Sequence, residues 1–204
     1  MVVIFLSRET NGNPLSPNLV KAIAKMIERY EKGELTTATV IHYHHEIGDQ
    51  AIRETLFLPG VIIWDPLFQH FRGNLPCPEC GEDLKPRCWK DGKDWKHNSP
   101  RQLADIECPV LLVSRVYACK NDHRTIGHDP KILKKFGQVE LIPFLLLHKN
   151  GITRRLYRLI IVHAASGMRY MDVEALLAQM WHSYHAEASI RLSLIHISEP
   201  TRPY

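Results

Sequence analysis

No stretch of the 204-residue chain approaches the roughly 20 consecutive apolar residues that a membrane-spanning helix requires, so no membrane partner is expected. Val2–Leu6, the apolar run nearest the start, is too short for a signal-peptide core and has no basic lead-in. Cysteine is scarce: five residues, an odd number that does not build a disulfide framework and points to a reducing, intracellular compartment. There is no internal repeat and no low-complexity segment. The acidic residues fall mainly on expected helix surfaces and loops, with no set suited to two-metal chemistry. No paired-histidine motif accompanies the metal-ligand candidates. What remains is a soluble, globular composition, 45% hydrophobic, enough for one ordinary core or two small ones.

The few cysteines are not scattered. Cys77-Pro-Glu-Cys80 is a C-x2-C pair with Pro76, Pro78 and Gly81 about it, the punctuation of a tight knuckle that points two sulfurs at one ion. Cys119-Lys-Asn-Asp-His123 adds a C-x3-H pair, one thiolate and one imidazole, after 38 intervening residues. Together Cys77, Cys80, Cys119 and His123 make a four-donor N/S set of the kind Zn²⁺ prefers, and four protein donors suit a structural ion rather than a catalytic one. Cys88 and Cys108 are the other candidates for the position given to His123. Two strands, Leu84–Lys90 and Val110–Ala118, are predicted between the pairs, a zinc-ribbon-like layout.

A net charge of +4 hides an asymmetry. Residues 1–84 carry 7 Lys/Arg against 11 Asp/Glu, residues 85–158 carry 16 against 7, and residues 159–204 carry 3 against 4. The middle segment is thus at +9, and a polyanion is its natural partner. The candidate phosphate contacts are Lys90, Lys93, Lys96, Arg124, Lys134, Lys135, Arg154, Arg155 and Arg158. DNA is the expected nucleic acid, with RNA the alternative. A solvated basic surface with no partner fits the same counts.

Ser16-Pro17 opens a helix carrying Val20, Ile23, Met26 and Ile27, which Gly33 stops. Thr36–His44 reads as a strand, and His42, His44, His45 and Glu46 as surface residues rather than a second metal site. Trp64, Phe68 and Phe71 are expected to form a small core docking the ribbon. Trp89, and Trp95 in the polar loop Asp91–Pro100, could pack or stack on bases. From Gln138 the pattern turns helical: Ile142–Leu147, then Thr153–Ala165, a break at Ser166-Gly167, and Tyr170–Glu187. The last two form a helix-turn-helix candidate or a plain helical hairpin. The expected fold is α+β: an N-terminal α/β segment (1–63), a small zinc-ribbon-like β unit (64–137) and a C-terminal helical hairpin (138–191).

Residues 192–204 stand apart. Leu192–Arg202 matches, residue for residue, a translated transposase-end sequencing adapter of the kind used in tagmentation libraries. Leu192–Tyr204 is therefore read as an adapter-derived artefact, and the authentic sequence is expected to stop near Arg191 with more of the gene beyond it.

Trp64-Asp-Pro-Leu-Phe68, Cys77-Pro-Glu-Cys80, the strand Leu111–Tyr117 running into Cys119, His128-Asp-Pro-Lys131, Gly151-Ile-Thr-Arg-Arg155 and a helix-break-helix ending at Trp181 follow one another in order. This order resembles a zinc-binding domain of unknown function from transposon-derived eukaryotic proteins, among them chains like HMG-domain-containing protein three. The resemblance covers a little over half the chain and departs at the second pair, where a second C-x2-C is expected and Asp122 stands instead. It implies a transposase-like core elsewhere in the gene and a nuclear location. The function expected is a non-catalytic, zinc-stabilised nucleic-acid-binding or targeting region of a truncated transposase-derived protein. The alternatives are a zinc-stabilised protein–protein interaction module, or part of a metal-dependent nuclease or transposase whose catalytic core is missing.

Overall fold

A computed structural model of the chain describes residues 15, 17–35, 59–91, 99–106, 108–137, 139–147, 151–169, 171–183 and 186. The predicted strand Thr36–His44 with its histidines, Ser16, the Trp95 loop with Lys93 and Lys96, and Leu192–Tyr204 lie outside the described residues.

Strand β1 (Gly60–Trp64) is buried along its whole length, and strict alternation divides its side chains between two cores. Val61 and Ile63 face helix α1 (Pro17–Glu31), whose Leu19, Ile23, Met26 and Ile27 recur at helical spacing and are all buried. Burial of each such side chain stabilises by about 1.5–3 kcal/mol. Pro17 occupies the first turn of α1, where its missing N–H is no loss. The helix ends as Glu34 N donates to Arg29 O and Gly33 takes φ +79°, a left-handed cap that glycine adopts without strain. On the opposite face Ile62 and Trp64 join the larger core with Leu75, Leu84, Leu103, Tyr117, Ile132, Phe136 and Phe144. Trp64 sits between Phe136, stacked at 5.7 Å, and Phe144, edge-on at 5.2 Å. Its Nε1 donates to Gly127 O at 2.9 Å.

The other strands are β2 (Lys85–Trp89), β3 (Arg101–Ala104), β4 (Val110–Ala118), β5 (Arg124–Ile126), β6 (Phe144–Leu146) and β7 (Gly151–Thr153). They join β1 in a seven-stranded mixed sheet of order β1-β4-β3-β7-β6, with β2 and β5 also paired to β4. The first half of β4 pairs with β1 in parallel (Gly60 opposite Val110, Trp64 opposite Ser114) and with β3 antiparallel. Its second half changes partners to β2 (Lys85 opposite Ala118) and β5 (Arg124 opposite Ala118). Short helices α2 (Pro66–Gln69) and α3 (Pro130–Leu133) follow β1 and β5, and α4 (Arg154–Ala165) and a helix over 171–183 follow β7.

The fold is therefore α+β. Two expectations need correction. Among the described residues 139–147 and 151–153 there is no α-helix: Val139–Leu141 is a 3-10 turn, and β6 and β7 pair antiparallel, with β7 also paired to β3. A short apolar run has no period to separate strand from helix, and the open edge of β3 decides the matter. α4 begins only at Arg154, where Thr153 Oγ1 accepts from Leu156 N. Phe68 does not join the Trp64 core; it is 56% exposed at the outer face of α2, while Phe71 packs on Phe136 at 5.0 Å. The boundaries drawn at 63/64 and 137/138 both fall within the span of this one sheet.

Gly151 shows how closely β7 is held. A Cβ there meets Leu103 Cδ2 at 2.6 Å and the Leu145 carbonyl oxygen at 2.7 Å, and the second contact is backbone that cannot swing aside. Gly151→Ala is expected to destabilise by about 1–3 kcal/mol. Gly137→Ala, whose Cβ meets nothing within 4 Å, should be near neutral. Thermal denaturation of the two variants checks both; equal melting temperatures contradict the packing at β7.

Candidate metal centre

The C-x2-C pair lies on a hairpin anchored by two buried leucines. Leu84 N donates to Leu75 O at 2.9 Å, Pro76 bridges to Asp83, and Cys77 N donates to Glu82 O at 2.7 Å. Gly81 closes the turn at φ +78°, its N–H donating to Cys77 O. The chain then enters β2, which pairs with the far end of β4. There the turn between β4 and β5 carries the second pair: Cys119 N donates to His123 O at 3.2 Å and Asp122 N to Cys119 O at 3.1 Å. Asp122 has φ +60°, a conformation its short polar side chain tolerates. The position where the resemblance calls for a cysteine is thus a turn corner. The ring comes from the next residue, which is back in register.

The four predicted ligands converge. Cys80 and Cys119 sulfurs are 3.7 Å apart. His123 Nδ1 lies 3.3 Å from Cys80 Sγ, 3.6 Å from Cys119 Sγ and 3.9 Å from Cys77 Sγ. All four donor atoms lie within 4.8 Å of one another, so the group can hold one metal ion. Tetrahedral bonds of about 2.3 Å to sulfur and about 2.0–2.1 Å to nitrogen require donor separations of roughly 3.5–4 Å; Cys80–Cys119, Cys119–His123 and Cys77–His123 fall in that range and Cys80–His123 lies just below it. Cys88 and Cys108 are not members of the cluster. Cys77 and Cys119 are buried and belong to the main core, while Cys80 and His123 face solvent. The Glu82 amide holds the Cys80 thiol below its ordinary value, and burial pushes the Cys119 thiol up. Four protein donors fill a tetrahedral shell and leave no place for water or substrate.

Helix α3 packs beside this knuckle. Its N-cap Asp129 accepts from Lys131 N, Ile132 enters the core, Lys131 pairs with Glu79, and Lys135 Nζ donates to Pro76 O at 2.7 Å. Lys120 pairs with Glu82 at 3.7 Å. Such exposed pairs contribute little to stability. Of the predicted phosphate contacts, Arg124, Lys134 and Lys135 are exposed near the knuckle, and Lys90, half-buried, follows β2. Arg158 is exposed on α4. Arg154 and Arg155 are committed elsewhere. Arg154 Nε donates to Ile142 O at 2.6 Å. Arg155 Nε reaches both oxygens of Asp105 at 2.8 Å, with a second nitrogen 2.6 Å from Oδ2. The Asp105 side chain is fully buried and also accepts from the Thr153 hydroxyl, so this pair fastens α4 to the end of β3. Of the three α4 arginines predicted to contact phosphates, these two make contacts within the fold.

Trp89 is committed as well: 8% exposed, it donates from Nε1 to Glu31, meets Tyr30 edge-on and carries the Arg115 guanidinium on its face. Packing, not base stacking, is its role.

Two buried polar pairs were not legible in the sequence, which places their members far apart. Tyr117 donates to Asp65 Oδ1 at 2.6 Å across 52 positions. Ser114 Oγ lies 2.7 Å from His128 Nδ1. The serine is wholly enclosed, so the pair ties β4 to the turn after β5 rather than presenting a nucleophile. Burial holds the His128 imidazole down to about 4, below its unfolded value of about 6.5.

Between those two values the unfolded chain binds a proton on His128 that the folded chain does not. Stability is therefore full above about pH 6.5 and falls as the pH drops toward about 4, by about 2–3 kcal/mol from this residue. His128→Gln, neutral throughout, should flatten that part of the pH–stability curve; parallel curves for the two proteins contradict a buried neutral His128. No protein-family model matches the chain, and no curated protein or solved structure matches it, so the four-residue cluster and its surroundings carry the functional assignment.

Proposed function

We propose that this chain is a non-catalytic, zinc-stabilised nucleic-acid-binding or targeting region of a transposase-derived protein, acting in the nucleus on DNA. The carrying observation is the convergence of Cys77, Cys80, Cys119 and His123 at the tip of the Leu75–Leu84 hairpin and the turn between β4 and β5. Three thiolates and one imidazole suit Zn²⁺, a borderline-soft ion without geometric preference of its own. Zinc there ties the Leu75–Leu84 hairpin to the β4–β5 turn, a zinc-ribbon-like arrangement, and the ion's binding energy becomes folding energy. Exposed Arg124, Lys134 and Lys135 beside the knuckle, with Arg158 on α4, supply the phosphate contacts. The helices over 154–165 and 171–183 are the helix-turn-helix candidate. No helix among the described residues is long and apolar enough to cross a membrane.

A second reading, a protein–protein module, is favoured by the exposed apolar residues of α4, Tyr157, Ile161 and Val162. The two readings separate by their response to salt.

The purified chain is expected to carry one equivalent of zinc by elemental analysis. Cys119→Ser should lose most of it and melt at lower temperature, since Cys119 is both ligand and core residue. Wild-type stoichiometry in that variant rejects the zinc site.

The zinc-loaded chain should bind duplex DNA, losing orders of magnitude in affinity between about 50 and about 200 mM salt through counterion release. Reversing Arg124, Lys134, Lys135 and Arg158 to Glu should weaken binding and flatten the salt slope with zinc retained. Arg154 and Arg155 are left out of that set because Arg155 partners the buried Asp105 carboxylate and Arg154 donates to Ile142 O, so reversing either one disturbs the fold. Binding unchanged by the reversal, or absent at low salt, selects the protein-interaction module.

A further inference from the structure

The three cysteines of the metal centre differ sharply in exposure. Cys80 is exposed, whereas Cys77 and Cys119 are 3% and 5% exposed and belong to the main core. Cys80 is therefore the cysteine of the cluster that a small solute meets first from solvent. Behind it, Cys119 Sγ stands 3.7 Å from Cys80 Sγ, across 39 positions of sequence. Disulfide sulfurs lie about 2.05 Å apart, so closing this pair takes less than about 2 Å of travel. Cys80, exposed at the tip of a turn, is the side chain placed to make that movement.

The sheet keeps the two sulfurs together by itself. Lys85, directly after the Leu75–Leu84 hairpin, pairs with Ala118, directly before Cys119. The hairpin is closed by its own bonds, Leu84 N to Leu75 O and Cys77 N to Glu82 O. Cys119 is held from the other side, its N–H donating to His123 O. The Lys120–Glu82 ion pair crosses from one turn to the other. Removing a metal ion breaks none of these contacts, so Cys80 and Cys119 stay neighbours in its absence. Thiols held in this way meet at a high effective concentration.

We propose that Cys80 and Cys119 are a hydroperoxide-sensitive thiol pair whose oxidation to a disulfide empties the metal centre yet keeps its two turns tied. Only the emptying rests on the zinc reading above; the pairing of the thiols stands on the fold. The Cys80 thiolate attacks one oxygen of the hydroperoxide and the O–O bond breaks. The other oxygen leaves as an alcohol, or as water from hydrogen peroxide, and Cys80 becomes a sulfenic acid. The Cys119 thiolate then attacks the Cys80 sulfur, and the S–O bond breaks with loss of water. Two thiolates, one hydroperoxide and two protons thus give one disulfide, one alcohol and one water, the sulfurs losing the two electrons that the peroxide gains. Cys77 and His123 remain, two donors where a structural ion takes four. The new bond joins the same two turns that the ion joined, whereas a Cys77–Cys80 bond lies within one turn and joins nothing to the other. Cys88, exposed on β2, stands outside the cluster and is the internal control.

The test treats the full zinc-loaded chain, freed of reductant, with hydrogen peroxide and follows zinc release with a chromogenic chelator. Tandem mass spectrometry of the unreduced digest then locates the disulfide. Release of the bound zinc is expected in step with a Cys80–Cys119 disulfide, and dithiothreitol with added zinc should reverse both. Cys88→Ser should release zinc at the wild-type rate, while Cys80→Ser should leave Cys119 open to alkylation after peroxide. The oxidised, metal-free chain should melt above the reduced, metal-free chain, because the new bond closes a loop across 39 positions. A chain that carries no zinc at the outset rejects the metal reading, and mapping the disulfide in that reduced chain still decides the thiol pair. A Cys77–Cys80 disulfide, sulfinic acids without a disulfide, zinc retained while Cys88 oxidises, or equal melting of the two metal-free forms overturns the proposal.

Discussion

Everything described in this protein hangs on β4 and its change of partners. Its first half, Val110 to Ser114, is hydrogen-bonded to β1 and β3 and lies between the two cores. Its second half, from Arg115 on, is hydrogen-bonded to β2 and β5 and leads into Cys119. A register slip of one residue in this strand exchanges Leu112 and Tyr117 with their neighbours and moves the whole set to the wrong face. The same slip displaces Cys119 from Cys80. Core packing and ligand convergence are thus one constraint, expressed at two ends of one strand.

The buried polar groups occur where that strand meets its neighbours. Asp65 follows β1 and takes the Tyr117 hydroxyl; Ser114 meets His128; Asp105 follows β3 and holds Arg155 and Thr153. Each joins an element end to a residue distant in sequence, and each carries a penalty if its partner is lost. They fix which strand end meets which helix start, a choice that apolar contacts alone leave degenerate. The positive charge of residues 85–158 is thereby divided. Part is consumed internally by Arg115, Arg154 and Arg155, and the part near the metal knuckle remains on the surface. The proposed nucleic-acid contacts draw on that smaller share.

Where the sequence was legible, a local rule with few competitors applied. The α1 span follows from Pro17, the apolar spacing and Gly33; the strand Val110–Ala118 follows from its β-branched and apolar run. The metal ligands follow from spacing and punctuation, one turn presenting a C-x2-C pair and another a C-x3-H pair. The pairing of β6 with β7 was not legible, because Phe144–Leu147 satisfies strand and helix equally until the edge of β3 is known. Phe68 misled for a similar reason. Its neighbours Trp64 and Phe71 face the core, but α2 is a single turn that rotates Phe68 outward. Trp89 could be a base-stacking platform or a packing residue until Tyr30, Glu31 and Arg115 are seen around it.

The sequence by itself determined the three cysteine donors Cys77, Cys80 and Cys119, the helix over 17–31, the long central strand and the concentration of positive charge after residue 84. Each of these depends on residue identity and on spacing within one turn, one strand or one segment, quantities a linear chain carries. Tertiary structure alone decided that His123 rather than Cys88 or Cys108 stands in the cluster, and that Arg155 faces a buried carboxylate. Those outcomes depend on which residues meet across 40 or more positions, as in the 46 separating Cys77 from His123 and the 50 separating Asp105 from Arg155. Contacts at that range are set by β-pairing and core packing together, and no local pattern encodes them.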